Sequence, residues 1–247
     1  MKKFSFLFVV IALIALMWIP ASQAELTLQQ VFDNITIAPN PGDSSIDATT
    51  DMISDGSDAY WSITASGTSV ATIVIEISAW NIGNLFGVYD QATPGKMVEL
   101  FGGAAVPGNR VTLSIMADGS VERNFIDTGV DFAGNSFGYY LQNPNSNVFR
   151  SNTLLNSDNY DHMWAYQGKG IDTVQLPNLQ AGLWSTNEYA LAFEDALNGG
   201  DGDHQDFVAM VESVSPVVPE PGTLLLLGAG LVGLAGYARI RISNKKK

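Results

Sequence analysis

The 247-residue chain carries 25 acidic residues against 12 basic ones, for a net charge of −13, and 46% of it is apolar. It has no cysteine, which excludes thiol catalysis, thiolate metal sites and disulfides. The negative balance argues against a nucleic-acid partner, because phosphates are repelled by such a surface.

The first element is an export signal. Lys2 and Lys3 form a basic start, residues 4–19 an apolar stretch, and Ser22-Gln23-Ala24 places small residues where a signal peptidase reads them. Residues 1–24 are therefore expected to be a signal peptide, with signal peptidase as a partner and Glu25 as the first mature residue. Between Glu25 and Glu220 lie all 25 acidic residues but only five basic ones, Lys96, Arg110, Arg123, Arg150 and Lys169, a balance of −20. Such a surface suits cations or a hydrated, anionic matrix, and solubility alone would also favour it.

Asp47, Asp51, Asp55 and Asp58 come next, spread through a Ser/Thr-rich stretch. They read as a solvated loop, with a second cation site as the alternative. From there period-two alternation recurs, while helical periodicity is nearly absent. In the segment 69–80, SVATIVIEISAW, Ile73, Ile75 and Ile77 share one face, as in a half-buried strand. In 110–127, Val111, Leu113, Ile115 and Ala117 alternate ahead of Asp118-Gly119, which predicts a hairpin with a two-residue turn. Further strands are expected at 85–90, 97–101, 137–141, 147–150, 162–166, 172–176, 189–194 and 206–214. Short strands parted by Gly, Asn, Asp and Pro turns make 25–215 an all-β domain, an antiparallel β-sandwich with jelly-roll and barrel variants also fitting. No internal repeat is visible, and no linker before 215–219.

Three patterns in this region raise the question of chemistry. Gly134-Asn135-Ser136-Phe137-Gly138 satisfies G-x-S-x-G, but a nucleophile elbow needs a strand before it and a helix after it, and a strand-like run follows. His162, among aromatic and apolar residues, reads as a structural histidine rather than a ligand. Tyr60, Trp61, Trp80, Trp164, Tyr166 and Trp184 read as core, with a sugar-stacking face as the alternative. The strongest pattern is acidic. Asp201, Asp203 and Asp206 lie on a Gly-rich loop between two expected strands, with Glu194 and Asp195 ending the first. Oxygen ligands converging from a loop and neighbouring strands suit calcium. A solvated acidic turn is the plain alternative.

The last element is the tail. Val218-Pro219-Glu220-Pro221 precedes 222–238, an uncharged run of Leu, Gly, Ala and Val, and then Arg239, Arg241, Lys245, Lys246 and Lys247. As a helix, 222–238 would cover about 25 Å, near the short limit for crossing a bilayer. The basic residues after it would hold the C-terminus in the cytoplasm. The expected division is thus 1–24 signal peptide, 25–215 β-sandwich and 216–247 sorting segment. Within the last, 219–221 is the motif, 222–238 a single transmembrane helix and 239–247 a basic tail.

This tail resembles the PEP-CTERM sorting signal of Gram-negative bacteria. The resemblance implies that Pro219, Glu220 and Pro221 are read by an exosortase, a membrane-embedded cysteine protease, and that the segment is removed. The two prolines suit this by keeping the approach extended. Several stretches, DGSDAYWSITASG and FGVYD through DHMWAYQG to EYALAFEDALNGGDGDHQDF, resemble an ectodomain common among such proteins. The last is similar to a domain of unknown function marked by F-E-D followed by G-D-x-D-x-x-D, here Phe193, Glu194, Asp195, Gly200, Asp201, Asp203 and Asp206. His204 and Gln205 depart from its usual residues. These signals accompany exopolysaccharide production, so the resemblance implies a non-enzymatic surface or matrix protein, first anchored in the membrane and then at the cell surface or outside it. A calcium-dependent carbohydrate-binding module is the rival reading.

Overall fold

The computed structural model describes residues 25–64, 67–76 and 83–217, without the side chains of 72–76. The expected signal peptide, Ile77, Trp80, the Pro-Glu-Pro motif and the segments 222–238 and 239–247 lie outside the described residues. Among those described, no helix is long and apolar enough to cross a membrane.

The described chain opens with a helix that the strand-dominated reading did not anticipate, α1 (Leu28–Ile35). Thr27 caps it: its hydroxyl accepts from the Gln30 N–H at 3.2 Å while the Gln30 side chain accepts from the Thr27 N–H at 2.9 Å. Leu28, Val31, Phe32 and Ile35 fall on one face at helical spacing, and all four are buried.

Sixteen strands follow among the described residues. They are β1 (Thr36–Ala38), β2 (Trp61–Ile63), β3 (Thr68–Glu76), β4 (Leu85–Asp90), β5 (Met97–Phe101), β6 (Arg110–Ile115), β7 (Ser120–Arg123) and β8 (Ile126–Asp131). Then come β9 (Ser136–Gln142), β10 (Val148–Arg150), β11 (Met163–Gln167), β12 (Thr173–Val174), β13 (Gly182–Leu183), β14 (Glu188–Phe193), β15 (Phe207–Glu212) and β16 (Val214–Pro216). One sheet runs β11-β14-β15-β3-β6-β7-β8, and a second runs β16-β2-β9-β4-β5 with β10 alongside β9. All the ladders are antiparallel.

The two sheets face each other across one core. Phe86 of β4 meets Phe193 of β14 and Phe207 of β15 at ring-centroid distances of 5.9 and 5.0 Å, and Trp61 of β2 meets Tyr189 of β14 at 4.9 Å. Val111, Leu113 and Ile115 point into this core as expected. The side chains of Ile73 and Ile75 are not described, but their backbones pair with Ala209 and Val208 of β15.

The centre of the first sheet is buried on both sides. Along β14, Tyr189, Leu191 and Phe193 enter the inter-sheet core, while Ala190 and Ala192 point the other way, into a second apolar cluster with α1, Ile46, Val174 and Trp184. Alanines on that side let the helix approach closely. A small third sheet, β1-β12-β13, lies alongside.

Two local expectations are corrected. The hairpin between β6 and β7 closes through Met116–Gly119, with the Met116 N–H bonded to the Ser120 carbonyl, so Ala117 is exposed. Ser215 and Pro216, read as the start of a linker, are part of β16 and pair with Ser62 and Trp61.

Candidate functional site

β14 ends where the first sheet runs out, at Phe193, and the chain must then turn back to enter β15 at Phe207. The intervening loop carries all five carboxylates singled out in the sequence. Glu194 and Asp195 are almost wholly buried, with 1% and 3% of their surface exposed. Asp203 and Asp206 are half-buried and Asp201 is exposed.

Gly200 explains how the loop closes on Glu194. Its φ is +45°, and a Cβ there would lie 2.2 Å from a Glu194 side-chain oxygen. Only glycine lets the backbone pass so close in that conformation. The Ala196 and Gly202 N–H groups each donate to a Glu194 carboxylate oxygen at 3.2 Å. From the other direction, the Asp195 N–H donates to Asp206 Oδ2 at 3.0 Å, and Asn84 Nδ2 to Asp195 Oδ2 at 2.9 Å. The Asn143 side chain holds the Asp195 carbonyl at 2.9 Å.

The result is two overlapping triads of carboxylates. Oxygens of Glu194, Asp201 and Asp203 lie within 4.8 Å of one another, and so do oxygens of Glu194, Asp195 and Asp206. Two oxygens facing each other across one calcium ion, each at about 2.4 Å, are about that far apart. The five residues are thus brought together as the sequence suggested.

Their electrostatics are uncompensated. Burial, reinforced by the charges of Asp195 and Glu194, pushes Asp206 up to about 8. Burial likewise raises Glu194 and Asp203 above the usual carboxylate range. Among the described residues, the Lys and Arg ion pairs are Lys169 with Asp51 and Arg123 with Glu99, and none reaches the cluster.

The floor beneath is built from histidines. His162, fully buried, places one ring nitrogen 3.0 Å from the Glu194 carbonyl and the other 3.0 Å from an Asp158 carboxylate oxygen. It is structural, as its setting suggested. Although desolvation works against it, Asp158 is held down to about 2 by the Asn198 N–H and by His162. His204 bonds the Asp161 carbonyl at 2.8 Å.

The other sequence candidates do not form a site with these residues. The run of Asp47, Asp51, Asp55 and Asp58 disperses: Asp47 caps its own turn at Thr49, Asp51 pairs with Lys169, and Asp55 accepts from Thr153. Asp58 is the exception sequence could not signal. It is 1% exposed, neither carboxylate oxygen receives a hydrogen bond from another of the described residues, and burial with Asp161 nearby pushes it up to about 8. Ser136 starts β9 and is followed by strand, not helix. Trp61, Tyr166 and Trp184 are buried and Trp164 stacks on His204.

Residues 217–241 match the family model of the PEP-CTERM protein-sorting motif, and residues 107–214 match a domain of unknown function, DUF4114. The chain carries a PEP-CTERM sorting motif and a DUF4114 domain. The motif implies an exported, envelope-associated protein with exosortase as its processing partner. The DUF4114 match spans β6 to β16 and contains all five carboxylates of the cluster. Neither a curated protein nor a solved structure matches the chain.

Proposed function

We propose that this PEP-CTERM protein is a non-enzymatic component of the cell surface or exopolysaccharide matrix of a Gram-negative bacterium, and that calcium locks its β-sandwich at the Glu194 cluster. In this reading signal peptidase removes 1–24 and exosortase removes the basic tail, leaving the strongly acidic domain in a calcium-bearing exterior. The observation that carries the calcium half is Glu194 itself: a buried carboxylate shared by two acidic triads, with no basic partner among the described residues. Leaving such charges unpaired in a poorly solvated site is costly, and a hard divalent cation removes the cost. The cluster joins the ends of two central strands, so the ion would act as a staple rather than as a reaction centre.

A calcium-dependent carbohydrate-binding module would use the outer, exposed half of the same cluster. It has less support, since Trp61, Tyr166 and Trp184 are committed to packing. The test is terminal peptide mapping of the native protein together with its melting temperature in chelator and in millimolar calcium. A native chain beginning at Glu25, lacking Lys245–Lys247 and melting higher in calcium is the expected result. Intact Lys245–Lys247 as the dominant form would overturn the processing, and a calcium-indifferent melt would overturn the staple.

A further inference from the structure

Fully ionised, the cluster would carry more negative charge than one ion can balance. Five carboxylates meet there, and one Ca²⁺ would leave three of them uncompensated, with no Lys or Arg among the described residues ion-paired to any. The two triads also differ in setting. Glu194, Asp195 and Asp206 make an inner group, two of them buried. Glu194, Asp201 and Asp203 make an outer group that opens to solvent at Asp201.

A separate observation points to a ligand. Gln205 is 2% exposed, and its side-chain nitrogen donates to Asp203 Oδ2, which fixes its amide at the edge of the outer group. The amide oxygen is buried there and no donor among the described residues reaches it. A buried amide oxygen without a donor is a substantial penalty, and a hard cation is one partner that removes it. Amide oxygens are ordinary calcium ligands.

Building on the calcium reading above, we infer that the loop between β14 and β15 holds two calcium ions bridged by Glu194. The inner ion is ligated by Glu194, Asp195 and Asp206. The outer ion is ligated by Glu194, Asp201 and Asp203, with the Gln205 amide oxygen beside it. Two ions against five carboxylates leave one net negative charge in place of three. The inner ion is enclosed and structural; the outer ion keeps coordination positions for water and exchanges first.

Isothermal titration calorimetry of the full-length chain in detergent, with calcium chloride as titrant, decides the matter. The wild type should take up two equivalents. Asp201→Ala with Asp203→Ala should take up one, and Asp201→Ala alone, at an exposed position, should weaken the looser step by about tenfold or more. Glu194→Gln, checked for folding by circular dichroism, should lose both. A single equivalent in the wild type overturns the paired site and leaves the calcium reading standing, as does an Asp201/Asp203 double variant that still binds two. Loss of both ions from a folded double variant also overturns it, because the inner group would not be separate. No uptake by the folded wild type overturns both readings.

Discussion

The Trp164 indole lies flat on the His204 imidazole, with ring centroids 3.7 Å apart and 9° between the planes. The tryptophan projects from β11 and roofs the histidine that directly precedes Gln205. Burial holds the imidazole neutral and lowers it from 6.5 to about 4. Replacing Trp164 with Ala admits water, so the titration midpoint of His204, followed by proton NMR of its ring, should rise towards its ordinary value. A midpoint unchanged in the variant would show that Trp164 is not what shields it.

Calcium dependence should be readable as stability. With Asp203→Asn alongside, unfolding is measured in excess chelator and in calcium. A saturating ion adds roughly 2.7 kcal/mol at a hundredfold excess over its dissociation constant. The wild type should gain that order of stability and the variant markedly less. Magnesium should help less than calcium, since it prefers a strict octahedron and keeps its waters.

Without calcium, stability should fall as pH rises from about 6.5 to about 8. Asp206 and Asp58 are raised from 3.8 to about 8, so the folded state binds more protons than the unfolded one across that interval. Their contribution is complete below 3.8 and lost as pH passes through about 8. His204 has the opposite sign, but its window lies between about 4 and 6.5 and is closed by then. Denaturation midpoints in chelator at the two pH values check the slope. Added calcium should reduce the slope to the part due to Asp58, because the ion replaces the proton at Asp206 only.

Gly200→Ala places a methyl group against Glu194 in a backbone conformation that L-residues rarely adopt. It should cost more than about 1 kcal/mol and weaken calcium binding at the same time. Equal calcium affinity in wild type and variant, by calorimetry, would show that the loop has another way to close.

Phe86→Ala tests the inter-sheet core. Phe86 is fully buried and its ring meets Phe101, Tyr139, Phe193 and Phe207. Truncation should cost about 3–5 kcal/mol in chemical denaturation. A loss under about 1 kcal/mol would mean that the two sheets do not depend on this contact.

The sequence announced β4 and β5 at the bounds they have, because LFGVYD and MVELF are dense in strand-forming residues and parted by a Thr-Pro-Gly turn. The acidic loop was legible for a similar reason: its Gly and Asp residues are neighbours in the chain. α1 was missed although Leu28, Val31, Phe32 and Ile35 recur at helical spacing, since eight residues beside an expected cleavage point are a weak signal. β2, three residues long, takes its meaning from partners far away, Phe137 and Pro216. For β14 and β15, what buries the second faces is a helix more than a hundred positions earlier. Separation along the chain also hid Asn84 and Asn143, which hold Asp195 from the ends of β4 and β9, and the isolated burial of Asp58. Nothing local marks a residue whose role is set by long-range contacts.

The sandwich stays hydrogen-bonded up to the doorstep of its sorting motif: the Val217 N–H donates to the Tyr60 carbonyl at 2.7 Å. Two residues of extended chain span at most about 7 Å, so Pro219 has no longer tether than that. A protease reading Pro-Glu-Pro therefore works within a few residues of the folded sandwich. The rim around Tyr60 has to fit beside the enzyme, or else β16 has to peel from β2 before the motif can reach it. Either way, the pairing of β16 with β2 limits how closely an enzyme can approach the chain that follows it.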